Sequence, residues 1–211
     1  MLINERGRAT ENGQRLGFRF ETALLYAARL HADQQRKGGH TPYIGHLLGV
    51  ASQVIEMGGN EDQAIAALLH DAIEDQGGEP TAAAIGTLFG EQVVDIVRQC
   101  SDDDPESSER TPANWRVRKD RYLHHLREAP REVLLVSLAD KLYNARSILL
   151  DLRQLGDQLW ERFNVGPEDQ LWYYRGLVTA FREALRNDAL VAMVDEFDRV
   201  VREMERIAQH D

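Results

Sequence analysis

Residues 131–155 read REVLLVSLADKLYNARSILLDLRQL, and this stretch decides the fold. Val133, Val136, Leu138, Leu142, Ile148 and Leu149 recur at helical spacing, which predicts one long helix over 131–155. Toward the C-terminus, 159–163, 168–185 and 189–207 read as further helices. Toward the N-terminus the same pattern covers 115–127, 92–100, 61–75, 44–57 and 18–32, with a short helix running from an N-cap at Thr81 to Leu88. Gly58-Gly59-Asn60 and Gly77-Gly78 supply the breaks. No run of alternating β-branched residues competes, so the class is all-α, a single helical bundle of about nine to ten helices. The expected organisation is a flexible arm over 1–17, one domain over 18–187 and a C-terminal helix over 188–211 packed on that domain. The polar stretch SDDDPESSERTP at 101–112, with two prolines, is expected to be a flexible loop that acts as a lid or linker.

The chain has 211 residues, enough for one domain with a sizeable core, and its composition of 43% hydrophobic and 28% charged residues is that of a globular protein. Lys and Arg number 25 against 35 Asp and Glu, and the resulting charge of −10 argues against a long duplex-binding surface without strong local segregation of charge. A small anionic substrate fits only with a local basic pocket. Cys100 is the only cysteine, which excludes an internal disulfide and a Cys-rich zinc site and fits a reducing cytoplasm. The polar opening MLINERGRATENGQRLG lacks the apolar run of a secretory signal, and no apolar stretch approaches the roughly 20 residues that span a bilayer. A cytoplasmic protein with no membrane partner is expected.

Polar residues inside apolar helices mark the candidate site. His70-Asp71 lies near the end of AIAALLHDAIED, and Asp140 interrupts VLLVSLADKLYNA. A carboxylate in such surroundings is costly unless it faces a cation. His46 opens the helix after Thr41-Pro42-Tyr43, so His46, His70, Asp71 and Asp140 offer two imidazoles and two carboxylates from three helices. Such a mixed nitrogen and oxygen set suits Mn²⁺ or Fe²⁺, with Zn²⁺ a third candidate and positions left open for water. Glu74 and Asp75 follow at helical spacing from His70 and Asp71, toward the open positions. Asn144 and Ser147 continue a polar stripe from Asp140 that is suited to a nucleoside. Arg36 and Lys37, followed by Gly38-Gly39, form a phosphate cradle, and Tyr43 joins them as a substrate contact. Arg116, Arg118 and Lys119 read as a solvated face, His31 as structural, and His124-His125 as surface. Trp160, Trp172, Tyr173 and Tyr174 read as core or interface.

Taken in order, HADQQRKGGHTPYIGHLLGVA, AALLHDAIED and LADKLYNAR resemble the HD-domain metal-dependent phosphohydrolases. More narrowly they resemble the hydrolase domain of Rel/Spo-type alarmone enzymes in its stand-alone form, the small alarmone hydrolases. The resemblance covers about 18–155. It implies a Mn²⁺-dependent enzyme that removes the 3′-pyrophosphate of (p)ppGpp, with His46, His70, Asp71 and Asp140 as ligands. It further implies that Glu74 and Asp75 handle water and protons, and that Arg36, Lys37, Asn144 and Ser147 hold the nucleotide. The segment with NWRVRKDRYLHHL departs from the long bifunctional enzymes, and Ser147 stands where they have Thr, so guanine and adenine alarmones both remain open. With the chain filled by helices of the hydrolase type, it is expected to degrade alarmones without making them. The same residues also admit a nucleotide phosphatase acting on NADPH or a deoxynucleotide, or a nucleotide-binding regulatory module without turnover.

Overall fold

In the computed structural model, which describes residues 15–101 and 111–209, Asn60 sets the start of the most buried helix. Its side chain accepts from the Gln63 backbone at 2.9 Å while the Gln63 side chain accepts from the Asn60 N–H at 2.8 Å, so two otherwise orphaned donors are satisfied reciprocally. The helix that follows, α3 (Glu61–Leu69), has Ala64, Ile65, Ala66, Ala67, Leu68 and Leu69 with no exposure at all. Being apolar all round from Ala64 onward, it is covered on several sides, by α1 (Phe18–Leu30), α2 (Ile44–Glu56), α6 (Glu91–Cys100) and α8 (Arg131–Leu155). Its alanines let these neighbours approach closely.

The long helix α8 runs over the predicted residues and spans about 37 Å at 1.5 Å per residue. It packs on α2, α3 and α6 and carries α10 (Val191–Ala208), which also lies against α9 (Pro167–Ala184). Asp198, buried on α10, accepts from Arg175 and Arg182 of α9 and from Arg202 of its own helix, and so ties α9 and α10 together. Short α4 (Ala72–Asp75), α5 (Glu79–Phe89) and α7 (Pro112–Glu128) complete ten α-helices among the described residues, with a 3₁₀ segment at Gly156–Arg162. No strand occurs among them, only an isolated bridge between Gln35 and Pro42.

Three expectations need correction. The helix expected over 61–75 is broken: His70 and Asp71 form a turn between α3 and α4, with Asp71 at φ −96° and ψ −2°, at the edge of the right-handed region. Thr81 does not cap a helix, because α5 already begins at Glu79, with Pro80 in its first turn, and the Thr81 hydroxyl donates back to the Gln76 carbonyl at 2.7 Å. The helix expected at 159–163 is the tighter 3₁₀ segment Gly156–Arg162. Residues 1–14 of the expected arm, 102–110 of the expected lid and the terminal His210-Asp211 lie outside the described residues. Gly17, at the end of that arm, is docked, its N–H donating to Glu61 at 2.6 Å.

Candidate metal centre and substrate cleft

A close helix crossing brings the donors together. At Gly49 on α2 any side chain would overlap the Tyr143 ring of α8, so glycine is needed for the two helices to meet. Three residues earlier on each helix stand His46 and Asp140, with His46 Nε2 at 3.2 Å from Asp140 Oδ1. The turn at His70–Asp71 completes the group. Neighbours in a regular helix diverge by about 100°, yet at this turn the two adjacent side chains converge. His70 Nε2 lies 2.9 Å from Asp71 Oδ2, 3.3 Å from His46 Nε2 and 3.5 Å from Asp140 Oδ1, and Asp71 Oδ2 is 3.5 Å from His46 Nε2.

These separations test the donor set for a metal. A cation bound at about 2.1 Å from each ligand holds adjacent donors about 3.0–3.4 Å apart, for octahedral or tetrahedral angles. The donor atoms of His46, His70 and Asp140, all buried, lie within 4.8 Å of one another, and Asp71 stands against both imidazoles. His70 Nδ1 is 2.8 Å from the Ala67 carbonyl, which can only accept, so that nitrogen carries a proton and Nε2 is the atom that would offer a lone pair to a bound cation. The residues therefore fit a divalent metal. His46 Nδ1 is buried with no partner among the described residues, so the ring is held by its packing between Tyr43 and Tyr143.

The surrounding charges favour a cation here. Burial works against charge on His70, yet Asp71 and Asp140 raise its pKa well above the imidazole value. Burial would raise Asp140, but the Lys141 ammonium and the hydrogen bonds from both imidazoles hold it well below the carboxylate range. Asp71 is lowered in the same way, against its burial, by His70 and by hydrogen bonds from the imidazoles. Each carboxylate has a second partner that fixes its direction. Lys141 Nζ sits 2.7 Å from Asp140 Oδ2, Asn144 Nδ2 donates to Asp140 Oδ1 at 2.6 Å, and the Tyr43 hydroxyl donates to Asp71 at 2.6 Å.

Above this cluster opens a cleft of about 830 Å³, within the range of small-molecule sites. Arg36, Lys37, Tyr43, His46, Asp71, Glu74, Asp75, Asn144 and Ser147 all line it, while His70 and Asp140 are buried at its base. The loop carrying Arg36 is pinned by backbone bonds from Arg36 to Thr41 and from Tyr43 to Gln34, both 2.9 Å. Arg36 Nη2 donates to Asn144 Oδ1 at 2.8 Å, which joins the phosphate loop to the α8 stripe. Glu74 accepts from Ser101 at 2.8 Å, and Asp75 accepts from Gln34 at 2.7 Å. Ser147 lines the cleft and donates back to the Tyr143 carbonyl at 3.1 Å.

Several participants escaped sequence reading. Lys141, which pairs with Asp140, carries no signal of its own in the sequence. Gln34 links His31, whose Nδ1 is 2.6 Å from its amide oxygen, to Asp75, so His31 is structural but sits behind a candidate catalytic carboxylate. Lys119 lies over the Tyr173 ring at 4.7 Å and lines the cleft, whereas Arg116 pairs with Asp169 at 3.0 Å over Trp172. Tyr173 and Tyr174 are buried as expected but also form cleft wall. His124 is exposed, and His125 is half-buried against the Gln99 carbonyl. No spacing rule marks these residues, because Gln34 and Lys119 act through partners distant in the chain and the contact of Lys141 with its neighbour Asp140 depends on the burial of both.

Comparison with known proteins gives the family. The HD domain family matches residues 23–163. The guanosine-3′,5′-bis(diphosphate) 3′-pyrophosphohydrolase MESH1 of Xenopus tropicalis is 38% identical over 146 residues, covering 68% of this chain and 74% of that one. A probable guanosine-3′,5′-bis(diphosphate) 3′-pyrophosphohydrolase of Synechocystis is 32% identical over 130 residues, which are 60% of this chain but only 16% of the longer relative. Among solved structures, one described as a metazoan orthologue of SpoT that hydrolyzes ppGpp superposes with a TM-score of 0.67 at 26% identity, covering 89% of this chain and 97% of that one. The chain belongs to the HD-domain family, and within it to the group of the MESH1-type enzymes.

Proposed function

We propose that this protein is a metal-dependent hydrolase that removes the 3′-pyrophosphate of a (p)ppGpp-type or (p)ppApp-type nucleotide, releasing pyrophosphate and a 5′-phosphorylated nucleoside. The observation that carries the proposal is the convergence of His46, His70, Asp71 and Asp140 at the base of a cleft walled by Arg36 and Lys37. In the relatives named above, that activity goes with the same fold. His46, His70, Asp71 and Asp140 would hold a divalent cation, and Mn²⁺ is our choice for this mixed nitrogen and oxygen set. When bound, such a cation supplies Lewis acidity toward water and a phosphoryl oxygen.

The remaining work falls to side chains. Arg36 and Lys37 offset the phosphate charge, which a chain of net charge −10 would otherwise repel. Asn144, held by Arg36, and Ser147 hold the nucleoside along α8. Glu74, on the cleft wall, takes a proton from the attacking water, whose oxygen bonds to the phosphorus on the ribose 3′ oxygen. The bond from that phosphorus to the 3′ oxygen breaks, and the oxygen receives a proton, with Asp75 beside Glu74 as the second carboxyl group in reach. Tyr43 and Lys141 keep the Asp71 and Asp140 carboxylates aimed while this happens.

The test strips the protein of metal and restores Mn²⁺, Fe²⁺ or Zn²⁺ one at a time, with pyrophosphate release from ppGpp and ppApp as the readout. Turnover that requires added metal and disappears, together with bound metal, in Asp140→Ala is the expected result. Full turnover by the stripped protein would refute the proposal.

A further inference from the structure

The cleft extends well beyond the groups that hydrolysis requires. On α8, Asp140, Asn144, Ser147 and Asp151 follow one another at spacings of four, three and four, and at 100° per residue all four fall within about a 60° arc. The rise of 1.5 Å per residue places Asp151 about 16 Å along the axis from Asp140 and about 6 Å beyond Ser147. Asp151 lines the cleft there, and Arg162 of the 3₁₀ segment faces it with Nη1 at 3.0 Å from Oδ2. Ile148, Leu159 and Phe163 give the same region apolar walls. Gly38 makes room for the pair. It has φ +76°, and any side chain on it would overlap that of Arg162. The phosphate loop and this distal pair are therefore built against each other.

We propose that Asp151 and Arg162 read the purine base and select guanine over adenine, an assignment that rests on the substrate being a nucleoside 3′,5′-bis(diphosphate). On its Watson–Crick edge guanine presents O6, N1–H and the N2 amino group in a row. A carboxylate accepts from N1–H and N2–H together, and a guanidinium beside it donates to O6. Adenine places an amino donor against the guanidinium and the N1 acceptor against the carboxylate, so both contacts have the wrong sign. The side chains of Arg162 and Asp151 are 28% and 39% exposed, so water reaches them and the discrimination is that of an open site.

Steady-state kinetics with the Mn²⁺-loaded protein and the guanosine, adenosine and xanthosine 3′,5′-bis(diphosphates) tests the assignment. The wild-type protein should favour guanosine over adenosine by roughly ten- to a hundredfold in kcat/KM, the scale of a good bidentate base contact. Asp151→Ala should bring the two toward parity. Asp151→Asn should turn preference toward xanthosine, whose C2 carbonyl accepts from the new amide, an inversion that a purely structural role cannot produce. Equal losses on all three substrates in Asp151→Ala would overturn the assignment and leave the pair as a clasp between α8 and the 3₁₀ segment. Equal turnover of guanosine and adenosine substrates by the wild type would overturn it while leaving the hydrolase reading intact. No turnover of any of the three would overturn the hydrolase reading, and this assignment with it.

Discussion

Replacing Lys141 with Met separates the charge role of this residue from its packing role. Lys141 Nζ lies 2.7 Å from Asp140 Oδ2, the two side chains are only 18% and 6% exposed, and the ammonium sits 5.3 Å from the Tyr122 ring centre. Met keeps the length and apolar stem but removes the charge, leaving Asp140 buried beside the imidazoles and the Asn144 amide, with no ammonium against it. Removing one partner of a buried ion pair costs about 3–5 kcal/mol. For a chain of this size that is a fall of about 6–20 °C in Tm, at 2–4 °C per kcal/mol. The loss should be felt in full with a chelator present. A divalent cation at the site neutralises Asp140 in its own right, so saturating Mn²⁺ should close most of the gap. By linkage the variant must then bind Mn²⁺ more tightly than the wild type, by the factor corresponding to the recovered stability. Calorimetric melts in chelator and in Mn²⁺, with a titration for affinity, measure all three quantities. Equal Tm losses under both conditions, with unchanged Mn²⁺ affinity, would show that Lys141 acts by packing and would refute the electrostatic account of the site.

Glu74→Gln should keep bound metal and fold while lowering kcat by about 10²-fold or more, read from metal analysis beside turnover; near-normal turnover would move the proton transfer to Asp75. Asn144→Ala should weaken metal binding by roughly 10–100-fold as well as raising KM, because the amide directs Asp140 and is itself held by Arg36. A raised KM with unaltered metal affinity would break that link. Asp198 supplies the pH test: burial pushes its carboxyl up, but Arg175, Arg202 and Arg182 together hold it below its ordinary value of 3.8. Its stabilisation is complete above about 3.8 and is lost as pH falls through the folded-state value, since the unfolded chain takes the proton first. Asp198→Asn should thus melt lower near neutrality and lose less on acidification, and an acid limb identical to the wild type would count against the bridge between α9 and α10.

The parts of this protein legible in its sequence were those that violate local pattern. Asp140 stood out because a carboxylate inside VLLVSLADKLYNA needs a partner, and His70-Asp71 because it ends a run of apolar residues; the structure brings these groups to one point with His46. The long helix over 131–155 was legible from its period alone. What local pattern could not show is how the donors converge. The break between α3 and α4 carries no proline or glycine, so nothing local marks the turn at which His70 and Asp71 meet one centre from adjacent positions. Contacts across the chain were equally hidden: Arg36 to Asn144, Gln34 to Asp75, and Arg162 to the bare face of Gly38. Gly38 was read as room for a phosphate, whereas the side chain it admits is an arginine from 124 residues further along the chain. Such contacts depend on tertiary packing and leave no periodic trace.

The central claim is that the bond broken joins the ribose 3′ oxygen to phosphorus. Phosphorus NMR of the Mn²⁺-loaded protein with ppGpp, followed from the earliest turnovers, tests it most directly. The account predicts pyrophosphate and a nucleoside 5′-diphosphate appearing together in equal amounts, with no orthophosphate. Orthophosphate at the outset, with pyrophosphate absent, would contradict it and would favour a monophosphate-releasing enzyme acting on NADPH or a deoxynucleotide.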